Sequence, residues 1–160
     1  MKFFQFFILM VFISGVTRAQ GIKKIKIEEL ANYIKTCDHP LIVNFWATYC
    51  DPCVKEIPYL QTEVAKYKDQ KLELLLVSLD PNKFFPVKIE QFVKDHHLVD
   101  SVCWLDEKNA DYFCSRIDKQ WTGGIPSSLF VNNATHYRKF FERQLTEPQV
   151  LENINLLIKQ

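Results

Sequence analysis

Residues 44–58 read NFWATYCDPCVKEIP, and this stretch constrains the fold more tightly than any other part of the chain. It begins inside PLIVNFWA, a continuous apolar run bounded by Pro40, which has the pattern of a strand buried on both faces. From Pro52 to about Lys68, Val54, Ile57, Leu60, Val64 and Tyr67 recur along one side, as in an amphipathic helix. Two cysteines therefore stand where a buried strand hands over to a helix, with only Asp51 and Pro52 between them. Pro58 lies inside the helical pattern and, lacking an N–H, is expected to kink it.

That junction has a chemical consequence. At a helix N-terminus the unpaired backbone N–H groups and the helix dipole favour a thiolate, the reactive form, so Cys50 is placed as an exposed nucleophile. Cys53, three residues on, shares its helical face and can close a disulfide with it. Pro52 sits in the first turn, where it costs no helical hydrogen bond. The rival reading is half of a metal site, which needs two more ligands. Cys103, Cys114 and the His96–His97 pair supply neither a second Cys-x-x-Cys nor a His clip, so no metal is expected. An inert core pair is the other alternative, but it would have no need of a helix tip.

The rest of the chain alternates between the two periodicities. KKIKIEELANYIKT reads as a short strand or extended lead followed by a helix through Leu30, Ala31 and Ile34. KLELLLVSLD is a buried strand, PVKIEQFVKDHH a helix, SVCWLD a strand and NADYFCSRI a helix. SSLFVN and HYRKFFER follow as strands, the latter with Tyr137 and Phe141 on one face, and TEPQVLENINLLIK closes as a helix. This order implies an α/β fold: a central mixed sheet with parallel crossovers, helices on both faces and a closing hairpin. VNNAT supplies the hairpin turn, since Asn tolerates left-handed backbone. Asn133-Ala134-Thr135 also matches a glycosylation acceptor, although the turn alone accounts for it. With 160 residues, 48% of them hydrophobic, one compact core is expected. Lys and Arg total 20 against 19 Asp and Glu, with no polybasic run, which argues against a nucleic-acid partner.

The chain opens MKFFQFFILMVFISGVTRAQ: Lys2, an apolar run centred on Phe6 to Ile13, then a small-residue pattern ending at Thr17 and Ala19. Residues 1–19 read as a secretory signal, leaving a domain at 20–160 that is extracytoplasmic and, by expectation, periplasmic. An uncleaved membrane anchor is the alternative, but a span needs roughly 20 apolar residues and this run is shorter. Loss of Lys2 and Arg18 would leave 18 basic against 19 acidic side chains, the balance of an ordinary soluble domain. Outside the cytosol, disulfide chemistry is the expected use of Cys. Cys37, Cys103 and Cys114 remain beyond the close pair; Cys103 and Cys114 are candidates for a second disulfide, and Cys37 for a small apolar residue at a helix end.

Over seventeen contiguous residues, NFWATYCDPCVKEIPYL resembles the signature of the TlpA/ResA-like branch of the thioredoxin superfamily, whose extracytoplasmic members carry Asn-Phe-Trp-Ala-x-x-Cys-x-x-Cys-x-x-Glu-x-Pro here. The inferred element order agrees from about Lys23 to Lys159. The resemblance implies a thioredoxin-like fold and a redox-active Cys50–Cys53 disulfide. General thioredoxins have a buried Asp six residues before the first Cys, where this chain has Asn44; in the branch it resembles, the acid is the residue at Glu56. By that resemblance Glu56 is the base that takes the proton of Cys53; read alone, it would cap or solvate the helix. Ile125-Pro126, before SSLFV, matches the family's cis-proline loop, whose backbone would pair with an extended client segment. Trp46 of the motif is a further candidate for client contact, and Trp121 and Gly123 either line the same groove or, in the case of Trp121, belong to the core.

The activity implied is that of an exported thiol-disulfide oxidoreductase needing no bound cofactor. Cys50 attacks a client disulfide and Cys53 resolves the mixed disulfide. Relatives in this branch commonly act as reductants, for example on apocytochrome c, and are re-reduced by a membrane thiol carrier; Asp51 beside Cys50 opposes the thiolate and leans the same way. The expected partners are thus disulfide-containing clients and that carrier, with the protein itself a monomer. The alternatives are a disulfide-introducing oxidase and a peptide-binding module with incidental thiols. A peroxidase of related fold fits less well, because its reactive Cys usually has no Cys partner two residues away.

Overall fold

The computed structural model describes residues 21–159, so the signal expected at residues 1–19 lies outside the described residues. Strand β1 (Lys23–Ile25) leads into helix α1 (Ile27–Thr36), followed by β2 (Leu41–Trp46), α2 (Asp51–Ala65), β3 (Glu73–Ser78), α3 (Val87–Asp95), β4 (Ser101–Leu105), α4 (Ala110–Ile117), β5 (Ser127–Asn132), β6 (Tyr137–Phe141) and α5 (Glu147–Ile158). The six strands form one sheet in the order β1-β4-β3-β2-β5-β6. The first four run parallel, β5 is antiparallel to β2, and β6 is antiparallel to β5. This is the mixed sheet that the element order implies.

All six residues of β2 are buried, which explains its unbroken apolar run: both faces of the strand are covered. Side chains alternate across it. Leu41, Val43 and Phe45 join a core with Ile27, Leu30 and Ile34 of α1 and Phe113 and Ile117 of α4. Ile42 and Trp46 point the other way, into a core built with Cys53, Ile57, Leu60 and Val64 of α2, Ile89 of α3 and Ile154 and Leu157 of α5. Tyr137 and Phe141 of β6 pack on this second side, as their spacing implies. Because β2 lies inside the sheet with a layer on each face, its C-terminal end is a rigid platform for whatever follows Trp46.

Helix α2 continues as one element through Pro58, with the Thr62 hydroxyl donating to the Pro58 carbonyl at 2.8 Å. In the β5–β6 hairpin the positive backbone angle falls on His136 (φ 56°) and not on an Asn. Asn133 is used differently: its amide donates to the carbonyls of Ile34 (2.9 Å) and Cys37 (2.8 Å), satisfying orphan acceptors at the end of α1. Cys103 and Cys114 are both free and buried, so the second disulfide does not form. Burial pushes the Cys103 thiol up to about 12 and the Cys114 thiol up to about 11, which keeps both protonated and inert. Cys37 is also free and buried, and it caps the end of α1 as expected.

Candidate active site

Cys50 is the N-cap of α2, in extended backbone, and its Sγ accepts the Cys53 N–H at 3.3 Å. The turn that delivers it is closed by the Cys50 N–H on the Ala47 carbonyl at 3.0 Å, and the Cys50 carbonyl begins the helical ladder by accepting from Val54. Cys50 and Cys53 are joined in a disulfide, with their Cα atoms 5.2 Å apart. The two cysteines are unequal: Cys53 is fully buried, whereas Cys50 keeps 7% of its surface, less than the exposed thiol the sequence suggests. Tyr49, immediately before it, is 60% exposed, and Asp51 and Pro52 are exposed as well.

One helical turn beyond Cys53, Glu56 is fully buried. Its Oε1 accepts the Leu145 N–H at 3.3 Å and its Oε2 has no hydrogen-bond partner. Burial raises its pKa to about 7, against which the Leu145 hydrogen bond and the Arg143 charge act more weakly. A carboxyl poised between its two forms near neutrality is suited to accept and return a proton. Tyr59 of the same helix donates its hydroxyl to the Leu145 carbonyl, so the segment that roofs Glu56 is fixed to α2 at both peptide groups.

Ile125-Pro126 is a cis peptide bond at the entry to β5, where the resemblance puts it, with Ile125 half-buried and Pro126 buried. Phe85-Pro86, ahead of α3, is also cis and carries no sequence signal of its own. Trp121 belongs to the core: its ring lies 4.4 Å from that of Phe45, and its indole N–H donates to the Gly124 carbonyl at 3.0 Å. Gly123 has φ 99°, a left-handed conformation that suits Gly, and the Cys114 Sγ lies beneath it. Trp46 is corrected as a client contact. It is fully buried, 5.0 Å from the Phe92 ring, and shares one core with Cys50 and Cys53, because it points to the same side of β2 as Ile42.

Two carboxylates that the sequence reading passed over flank these elements. Asp80, buried at the end of β3, accepts the Thr48 N–H on both oxygens (3.2 and 3.1 Å), the Thr48 hydroxyl at 2.7 Å and the Ser78 hydroxyl at 2.8 Å. It thereby holds the turn two residues before Cys50. Glu142 holds Thr122 and Gly124 ahead of the cis-proline. The only signal available for Asp80 was an acid closing an apolar strand run. Asn44, in the position where thioredoxins have an Asp, is buried and donates to the Ser128 hydroxyl at 3.0 Å, so it ties β2 to β5.

Among the described residues no three His, Cys, Asp or Glu side chains converge in a way that could hold a metal ion. A cavity of about 610 Å³ lies at the start of β3 and β4, lined by Tyr33, Glu73, Asp100 and Cys103, at the opposite end of the parallel strands from Cys50.

The AhpC/TSA family model matches residues 17–135 of the chain. The thiol-disulfide oxidoreductase ResA of Oceanobacillus iheyensis is 31% identical over 106 residues, which cover 66% of this chain and 50% of that protein. The protein of the same name from Bacillus subtilis is 23% identical over 117 residues, covering 73% and 60%. The chain thus spans about half to three-fifths of the length of these curated relatives. Among solved structures, a thiol:disulfide interchange protein of the thioredoxin family from Chlorobium tepidum superposes with a TM-score of 0.63 at 14% identity, over 88% of this chain and 99% of that one. At that identity the likeness shows a common fold, the thioredoxin fold.

Proposed function

The chain belongs to the AhpC/TSA family, and from that premise we propose that it is an exported thiol-disulfide oxidoreductase that reduces disulfides in extracytoplasmic client proteins, those of cytochrome c maturation among them. The observation that carries this reading is the Cys50–Cys53 disulfide at the N-cap of α2, with the buried, half-partnered carboxyl of Glu56 one turn away. A disulfide that only stapled the fold would need neither the helix terminus nor a carboxyl raised to about 7 behind its inner sulfur. The names of the two ResA relatives point the same way.

The chemistry runs through residues of this chain. In the reduced protein the Cys50 thiolate, favoured by the α2 N-terminus, attacks one sulfur of a client disulfide. The client S–S bond breaks, the other client sulfur leaves as a thiolate and takes a proton from water, and Cys50 is joined to the client in a mixed disulfide. Cys53 then gives its proton to the Glu56 carboxylate, and its sulfur attacks the Sγ of Cys50. The bond from Cys50 to the client breaks, the second client sulfur leaves as a thiolate, and the pair of electrons has passed to the client. The product is the Cys50–Cys53 disulfide. Ile125 and Pro126 are assigned the client backbone, Trp46 the support of the disulfide. A membrane thiol carrier would restore the dithiol, residues 1–19 would direct export, and the protein would work as a monomer.

Insulin reduction with dithiothreitol as the electron source tests the reading. The protein lacking residues 1–19 is expected to accelerate insulin B-chain precipitation, and replacement of either Cys50 or Cys53 by Ser to abolish multiple turnover. A wild-type protein that leaves the uncatalysed rate unchanged refutes it and leaves a peptide-binding module as the better account.

A further inference from the structure

Resting on that reading, we propose that Glu142 is a positioning residue for client binding: its carboxylate fixes the Thr122–Gly124 loop so that the Ile125 peptide is presented to a client strand. The register of the sheet brings Glu142 to this place. Phe141, the last residue of β6, pairs with Ser128 of β5, so the next residue lies beside the entry to β5, where Ile125-Pro126 stands.

There Glu142 collects every donor the loop offers on that side. Its Oε1 accepts the Gly124 N–H and the Thr122 hydroxyl, each at 2.6 Å, and the Thr122 N–H is shared between Oε1 at 3.1 Å and Oε2 at 3.0 Å. The Gly124 carbonyl is bound from the other side by the Trp121 indole at 3.0 Å and the Ser127 hydroxyl at 2.7 Å. A Cβ at Gly124 would stand 2.8 Å from Glu142 Oε1, so a side chain there would have to push the carboxylate off the loop. Burial raises the carboxyl's pKa, but the Thr122 and Gly124 hydrogen bonds outweigh it and hold it below the ordinary value, so the clamp stays ionised at neutral pH.

The loop is therefore tied down on both sides up to Gly124, and the next peptide is left open. Among the described residues, no hydrogen bond within the chain engages the Ile125 N–H or C=O. An extended client segment could pair with those groups as an added strand. Without the clamp, Thr122, Gly123 and Gly124 would regain backbone freedom, Gly most of all, and binding would have to offset the ordering of the loop. The loss should appear in KM, because the sulfur chemistry at Cys50 and Cys53 does not pass through Glu142.

Glu142→Ala is expected to raise KM for insulin about tenfold, the loss of about one charge-assisted hydrogen bond, with kcat changed by no more than about twofold. Glu142→Asp, which keeps the charge on a shorter arm, should recover part of the affinity, and hydroxyethyl disulfide, which has no peptide backbone to pair, should lose far less than insulin does. A KM for insulin within about twofold of wild type, or an equal loss with both substrates, overturns the proposal. Melting of the oxidised variants identifies a loss of fold, and if the Ala variant does not fold, Glu142→Gln is read by the same criteria. A wild type that reduces neither substrate defeats the redox reading and this inference with it, whereas an active wild type with an unaffected Ala variant defeats this inference alone.

Discussion

Glu56→Gln separates the electrostatics of the buried carboxyl from its shape, and its largest effect on the folded state should be a change in how stability depends on pH. Burial raises Glu56 from 4.5 to about 7. Between those two values the folded chain holds a proton on Glu56 that the unfolded chain has released, so stability falls as pH rises through that window and is constant above it. A displacement of about 2.5 units, at about 1.4 kcal/mol each, sets the full loss at about 3 kcal/mol. Gln does not titrate. Its amide would place an N–H near the Leu145 N–H or in the unpartnered site of Oε2, at a cost of about 1–3 kcal/mol, but this cost is the same at every pH. Urea unfolding of the oxidised proteins at about pH 5 and about pH 8 isolates the titrating part: wild type should lose about 2–3 kcal/mol more than the Gln variant over that interval. A difference between the two proteins that does not change with pH would refute a carboxyl raised by burial. The same variant tests the proton transfer. Release of the second client thiol from a preformed mixed disulfide should slow by roughly 10²-fold or more near neutral pH, and an unchanged rate would return Glu56 to a purely structural role.

The unequal burial of the two cysteines gives a second prediction: Cys53→Ser should accumulate a mixed disulfide between Cys50 and insulin, visible by non-reducing electrophoresis, while Cys50→Ser should accumulate none. If both variants trap insulin equally, Cys50 is not the sole nucleophile. A third concerns the turn ahead of Cys50. Asp80→Ala leaves the Thr48 N–H and hydroxyl without their acceptor and should lower unfolding free energy by about 1–3 kcal/mol with an unchanged denaturant slope, and a change below about 0.5 kcal/mol would show that the turn holds itself.

How much of this was legible in the sequence depended on how far apart the interacting residues are. The strand–Cys-x-x-Cys–helix junction could be read directly, because burial of β2 on both faces and the one-sided pattern of α2 are each written in contiguous residues. The Ile125-Pro126 loop was found only through family resemblance, since nothing in a single X-Pro pair distinguishes cis from trans. Asp80 and Glu142 were not legible. Each acts through backbone donors 18 to 32 residues away, brought together by the pairing of β2 with β3 and of β5 with β6. Trp46 shows the reverse case. Its alternation with Ile42 already placed it toward the α2 core, and it was the motif, read as a whole, that suggested a surface role. In the β5–β6 hairpin, turn propensity pointed to Asn, but the end of α1 competes for the Asn133 amide and the left-handed position falls to His136.

The central claim, that the Cys50–Cys53 pair gives electrons to client disulfides, is tested most directly by its reduction potential. The protein is equilibrated with dithiothreitol and glutathione buffers of graded poise, and the dithiol fraction is read by thiol alkylation and mass shift. The α2 N-terminus favours the Cys50 thiolate and so the reduced form, while Asp51 beside it and the buried carboxyl of Glu56 oppose it. The balance predicts a potential close to the roughly −270 mV of thioredoxin. A value near the roughly −120 mV of a strong oxidant would contradict the account and make the protein a donor of disulfides instead.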